Sequence, residues 1–182
     1  LRELLKRDGL LYMPSVYDPF GGRMVQQVGF DAAYVGGFVT GASRAVSEPL
    51  LTLTEQVETA SAVARSIPLP VIADAGAAFG EPLHATRNGG IAGVHIEDQL
   101  YPKRAHYHKY VAHAIPEAEF GDKIRWACKE RDKLDPDFVI IARTDTCRFE
   151  GLDVAIRRME IGAAEGADMG LLFPTDDETA RA

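Results

Sequence analysis

Apolar residues along this chain gather into short runs separated by amphipathic stretches, and three of the runs stop abruptly on a charged residue. They are Pro70-Val-Ile-Ala-Asp74, Ala92-Gly-Val-His-Ile-Glu97-Asp98 and Phe138-Val-Ile-Ile-Ala-Arg143-Thr-Asp145. Each is apolar and mostly β-branched up to its charged end, the pattern of a parallel strand covered on both faces. Similar runs predict strands over 10–17, 32–38 and 169–173. Helical spacing fills the gaps. Asp18 caps a helix through residue 27 that stops at Gly29. Thr52-Leu-Thr-Glu55 has the form of a capping box and opens a helix to about residue 66. Two more helices are predicted over 117–133 and 151–165, with a long polar loop over 99–115.

Alternating strands and helices predict a parallel sheet with right-handed crossovers. Six strands suit either an open doubly wound sheet or part of a (β/α)8 TIM barrel, which takes about 250 residues. Two features favour a shortened barrel. The chain stops just after the run at 169–173, and the crossover over 77–90 is barely long enough for a loop and a helix. The expected fold is therefore α/β, an incomplete (β/α)8 barrel of about six strands. With no linker or low-complexity segment, residues 1–182 read as one domain, cut short at the C-terminus and shortened near 87–88.

Charge narrows the partners. With 20 basic and 27 acidic residues the net charge is −7, which argues against a nucleic-acid-binding surface. No apolar run reaches transmembrane length and no basic amphipathic stretch appears, so no membrane partner is expected. Leu1-Arg-Glu-Leu-Leu-Lys-Arg7 reads as an amphipathic helix start, not a secretory signal. Cys128 and Cys147 fit neither a zinc site nor a disulfide framework, which makes a reducing, cytoplasmic setting the default expectation.

Functional groups in α/β folds gather where the carboxyl ends of parallel strands meet. Asp74 and Glu97 both stand at such ends. Two neighbouring carboxylates repel unless a cation sits between them, and Mg²⁺ typically uses one or two carboxylates while keeping water. The plainer alternative is that they cap helices or pair with Lys and Arg. Arg143 needs a counter-charge: its planar fork suits a substrate carboxylate or phosphate, or a structural salt bridge to Asp74, Glu97 or Asp145. Gly36-Gly37 either brings backbone N–H groups against an anion or simply turns the chain. The segment Tyr101-Pro-Lys-Arg-Ala-His-Tyr-His-Lys-Tyr110 is either a lid whose His and Tyr supply an acid or base, or a basic surface loop making subunit contacts.

Taken in order, several motifs form a familiar set. They are Tyr17-Asp18, Gly29-Phe-Asp-Ala-Ala-Tyr34-Val-Gly-Gly37, Leu51-Thr-Leu-Thr-Glu55, Val71-Ile-Ala-Asp74, Gly93-Val-His-Ile-Glu-Asp-Gln99, Pro102-Lys-Arg104, Ile141-Ala-Arg-Thr-Asp145 and Gly166-Ala-Asp-Met169. From near residue 1 to about 175 the chain resembles the isocitrate lyase/phosphoenolpyruvate mutase superfamily. The resemblance implies a (β/α)8 barrel, a homo-oligomer (dimer or tetramer) with an exchanged C-terminal helix, and Mg²⁺ (or Mn²⁺). It also implies small carboxylate substrates, either 2-oxo or 2-hydroxy di- and tricarboxylates or phosphonopyruvate. By position, Asp74 and Glu97 would orient the metal, partly through water. The backbone of Gly36, Gly37 and Phe38 would hold a substrate carboxylate, Arg143 would be a second anion clamp, and Tyr34 and His95 would line the pocket.

The chain also departs from the superfamily pattern. Gly76 replaces a second acid after Asp74, Gly36 replaces a Ser, and Thr175 replaces a Glu. Ala105 replaces the lyases' catalytic Cys, while Glu48 stands in for an acid upstream of Leu51. Without the Cys, carbon–carbon cleavage needs another proton donor, and His106, Tyr107 and His108 are the candidates. The expected activity is a Mg²⁺-dependent carbon–carbon lyase or decarboxylase working through an enolate. The alternatives are a phosphoenolpyruvate mutase or phosphonopyruvate hydrolase-like enzyme, or an inactive barrel kept for binding or assembly. Retention of Asp74, Glu97 and Arg143 favours an enzyme, because buried charges without a ligand destabilise a fold.

Overall fold

Five strands form the sheet of the computed structural model, which describes residues 1–80, 89–103 and 113–173. They are β1 (Ala33–Val35), β2 (Val71–Asp74), β3 (Gly93–Glu97), β4 (Val139–Thr144) and β5 (Met169–Leu172). A doubly wound sheet reverses its strand order at a switch point. Here each strand pairs in parallel with the next in sequence, which is the winding of a (β/α) barrel wall. The described helices are α1 (Arg2–Leu5), α2 (Pro19–Val28), α3 (Gly37–Ser43), α4 (Leu53–Ser66), α5 (Glu117–Leu134) and α6 (Leu152–Ala164). None is long and apolar enough to cross a membrane.

Local chemistry sets several boundaries. Asp18 accepts a hydrogen bond from the Gly21 N–H, Pro19 fills the first turn of α2, and Gly29 ends it at φ 98°. Thr52 and Glu55 form the reciprocal capping box that starts α4.

Two expectations need correction. Residues 10–17 form no strand: Ser15 makes an isolated parallel bridge to Tyr34, flanked by Val16 N–H to Tyr34 O and Tyr34 N–H to Pro14 O. Pro14 has no N–H with which to extend the ladder, so the sheet has five strands and one bridge where six strands were expected. The strand expected over 32–38 ends at Val35, because Gly36 becomes the N-cap of α3. The expected shortening near 87–88 and the tail from residue 174 lie outside the described residues.

Strand residues alternate between two cores. Ala33, Val35, Val71, Ala73, Val94, Ile96, Ile140 and Ala142 join the main core with Val25, Val63, Phe120 and Ile124 from the helices. The opposite face puts Ile72, Val139 and Ile141 in a smaller cluster with Tyr34 and Leu171, against which Leu1, Leu5 and Met13 pack. Arg2 fastens α1 there, with Nη1 2.8 Å from Asp168 Oδ1 and further bonds to the carbonyls of Asp137 and Phe138.

Helix α6 presses on β4 at Gly162, where an added Cβ would stand 2.6 Å from Ala142 Cβ. Gly162→Ala gains about 1 kcal/mol of helix propensity but overpacks the core by about 1–3 kcal/mol. Urea denaturation is expected to show a net loss of stability. A variant as stable as the parent would mean that the two elements do not touch so closely.

Candidate active site

Because all five strands run the same way, their last side chains converge at one end of the sheet. Parallel register puts Asp74 beside His95 and Glu97 beside Arg143 on neighbouring strands. A 3-10 turn at Glu48–Leu50 adds Glu48, and the segment after β3 returns Lys103 to the same place. Lys103 Nζ lies 2.5 Å from Glu48 Oε1 and 3.0 Å from Glu97 Oε2. Arg143 donates from Nε and Nη2 to Asp145, at 2.9 and 3.0 Å. Its Nη1 edge approaches Asp74 Oδ2 at 3.9 Å. Asp74 is itself gripped by backbone, accepting from Gly76 N–H at 2.7 Å and Gly37 N–H at 3.2 Å. Gln56 donates to the carbonyls of Val35 and Asp74, tying the ends of β1 and β2 together. Tyr34 Oη and His95 Nε2 are 2.7 Å apart, with the two rings stacked.

Some of these groups border a cavity of about 320 Å³, whose wall includes Tyr34, Glu48, Asp74, Lys103, Arg143 and Phe173. A second cavity of about 330 Å³ shares Tyr34, Arg143 and Phe173 and is otherwise mostly apolar, with Ile72, Ile141 and Leu171. Cavities of this size suit a small molecule.

Burial and charge set the protonation states. Burial alone would raise the Asp74 carboxyl, but His95, Lys103, Arg143 and the Gly76 N–H together hold it below the usual range. Burial pushes Glu97 up to about 7 despite Lys103 and Arg143. Burial and Asp74 move Glu48 upward against the pull of Lys103. His95 is lowered to about 4 by burial, with Arg143 and Lys103 adding to the effect and Asp74 opposing it, so it is neutral at pH 7. Lys103 and Arg143 resist their own burial because the carboxylates around them favour the charged forms.

The donor set fits a hard divalent cation. Both Glu97 carboxylate oxygens are buried without a hydrogen bond among the described residues, the Lys103 contact being an ion pair of poor hydrogen-bond geometry. Among the described residues no three His, Cys, Asp or Glu side chains converge as a metal cage. Two carboxylates completed by water are enough for Mg²⁺, and Asp74 and Glu97 are the pair that would hold it.

The structure thus brings together six of the side chains singled out in the sequence: Tyr34, Glu48, Asp74, His95, Glu97 and Arg143. Gly36, Gly37 and Phe38 border the same cavity. The Gly37 N–H is committed to Asp74, and a Cβ there would stand 2.9 Å from Glu48 Oε1 and 3.1 Å from Asp74 Oδ2. Glycine is needed at 37 for close approach. His106 and His108 lie outside the described residues. Sequence reasoning passed over Lys103 and Gln56, while Asp145, named as one possible partner of Arg143, is the one that takes its fork. Also passed over was a buried network behind the sheet, in which Thr144 donates to Asp98 while Arg158 lies 3.3 Å from the same carboxylate. One signal was available for Lys103: Glu48, Asp74 and Glu97 outnumber Arg143, so another cation had to be close.

Comparison with known proteins adds to this geometry. The phosphoenolpyruvate phosphomutase family profile matches residues 1–181. The probable 2-methylisocitrate lyase 2 of Corynebacterium glutamicum is 38% identical over 196 residues, covering 100% of this chain and 62% of that protein. A solved oxaloacetate acetylhydrolase, bound to the inhibitor 3,3-difluorooxalacetate, superposes with a TM-score of 0.91 at 32% identity, covering 98% of this chain and 64% of that one. A phosphonopyruvate hydrolase solved with oxalate and Mg²⁺ gives a TM-score of 0.83 at 26% identity, covering 94% and 62%. The chain spans less than two thirds of the length of these relatives.

The protonation states predict a compensated pH dependence in metal-free protein. Midway between their ordinary values of 4.5 and 6.5, the unfolded chain carries most of a proton on His95 and little on Glu97, while the folded chain carries one on Glu97 and almost none on His95. The proton counts nearly match there, so this pair leaves stability close to flat. Glu97→Gln removes the folded-state proton and unmasks His95. Relative to the parent, its stability should then rise with pH at up to about 1.4 kcal/mol per unit. Denaturation curves at several pH values that show the same slope for parent and variant would contradict these assignments.

Proposed function

Because the chain belongs to the phosphoenolpyruvate phosphomutase family, within the isocitrate lyase/phosphoenolpyruvate mutase superfamily, we propose that it serves as a Mg²⁺-dependent carbon–carbon lyase or decarboxylase. Its substrate in this reading is a small 2-oxo or 2-hydroxy di- or tricarboxylate that reacts through an enolate. The observation that carries the reading is Glu97: a fully buried carboxyl whose two oxygens have no hydrogen bond among the described residues, at the same strand ends as Asp74, which lines a small-molecule cavity. Ionising a carboxyl in that state is costly unless a cation completes it.

When bound by Asp74 and Glu97, Mg²⁺ (or Mn²⁺) would act as a Lewis acid toward substrate oxygens. The remaining work falls to the chain's own groups. Asp145 holds the Arg143 fork from one side and leaves its Nη1 edge toward the cavity, where it takes a substrate carboxylate and stabilises negative charge as the enolate develops. The Tyr34 hydroxyl, backed by neutral His95, supplies a polar but uncharged wall. Glu48 is the described cavity carboxyl whose upward shift best suits carrying a proton, alongside His106 and His108 from the sequence reading. The same reading carries a homo-oligomer, dimer or tetramer, in the cytoplasm.

Phosphorus–carbon chemistry is the second reading, favoured by the matching family profile and by the likeness to phosphonopyruvate hydrolase. Product analysis with oxaloacetate, 2-methylisocitrate, substituted malates and phosphonopyruvate in Mg²⁺ separates the two. Turnover of none of these would leave the barrel as a binding protein. On the substrate that reacts, Arg143→Lys keeps the charge but loses the two-pronged geometry, and kcat/KM is expected to fall on the order of 100-fold. Turnover near the parent's would make Arg143 a structural partner of Asp145.

A further inference from the structure

Lys103 has no part in the carboxylate capture described above, yet it is more than nine-tenths buried and touches two of the site's acids. Asp145 is neutralised by its own bidentate contact with Arg143. Glu48, Asp74 and Glu97 then share the ammonium of Lys103 with looser contacts to Arg143, which stands 3.9 Å from Asp74 and 3.7 Å from Glu97. Lys103 Nζ stands at Glu97 Oε2 without hydrogen-bond geometry, and Glu97 Oε1 has no partner at all among the described residues. The ammonium therefore fills a carboxylate position that is built for a cation but not matched to this one.

We propose that Lys103 is a resident counter-cation, and that a divalent cation enters by displacing its ammonium from Glu97. The inference rests on the reading of Asp74 and Glu97 as the metal-holding pair. The physical reason is exclusion. An ammonium and a divalent ion cannot share one carboxylate oxygen without strong mutual repulsion in a buried site. Without metal, Lys103 balances part of the charge of the acids around it. With metal, it is released from Glu97 while Glu48 still attracts it. Binding of metal and release of Lys103 are then two sides of one coupling, equal in both directions.

The test measures Mn²⁺ affinity of the intact protein by titration calorimetry, with no substrate and no turnover. Lys103→Met is expected to tighten Mn²⁺ binding by about tenfold or more, because the competitor is gone. Lys123→Met is the control. Its ammonium donates to the Glu97 carbonyl and not to a carboxylate, so loss of that charge acts only through space and should change affinity by less than about threefold. Equal gains in the two variants, or no gain in Lys103→Met, would overturn displacement.

A second measurement needs no variant. Mn²⁺ should raise the acetylation of Lys103 by acetic anhydride in the parent protein, read by mass spectrometry. Unchanged or reduced labelling counts against the proposal. Absence of Mn²⁺ binding to parent and variant alike would instead defeat the metal reading itself, and the inference with it.

Discussion

Burying carboxylates at the end of a parallel sheet is the constraint around which this structure is arranged. Asp74 and Glu97 are 5% and 0% exposed, and each demands compensation from neighbours supplied by other elements. Two N–H groups from the turns after β1 and β2 reach Asp74 directly. Lys103 and Arg143 reach Glu97 from a returning segment and from the adjacent strand. The second function of these contacts is geometric. Each counter-charge also fixes where its parent segment runs, so that the 3-10 turn bearing Glu48, the start of α3 and the segment after β3 are positioned by electrostatics as much as by packing.

What could be read beforehand was whatever depends on local pattern. Strands β2 and β3 are fully buried, so their runs are apolar except at His95 and their ends coincide with Asp74 and Glu97. The capped helices α2 and α4 announce themselves through Asp18, Gly29, Thr52 and Glu55. Helix α3 was invisible because Gly-Phe-Val-Thr-Gly-Ala-Ser contains two glycines and two β-branched residues, a poor helix former on propensity. The turn that follows it needs the second glycine: Gly41 lies where a Cβ would meet the Val46 carbonyl at 2.9 Å. The bridge at Ser15 failed as a strand for the opposite reason, since its apolar spacing was right but Pro14 interrupts the ladder.

The site divides in the same way. Asp74, Glu97 and Arg143 stood out because a charge at the end of an apolar run violates local expectation. Lys103 did not, since a lysine between a proline and an arginine in a polar loop looks like ordinary surface. Its burial follows from the approach of Glu48, 55 residues earlier in the chain, and only the folded arrangement reveals it. Glycines at 36 and 37 drew attention to the right end of the sheet, and the close approach of Gly37 to Glu48 and Asp74 leaves the same mark in a sequence as close approach to a ligand.

The attachment of Arg2 has a consequence for how the chain is made. Its partners Phe138 and Asp168 lie 136 and 166 residues further along. During synthesis from the N-terminus, α1 therefore has nowhere to dock until β4 and the turn before β5 have left the ribosome. Closing so long a loop is entropically unfavourable until much of the intervening sheet has formed. Until then the face bearing Ile72 stays uncovered by Leu1 and Leu5. Residues made early in this stretch find their place late.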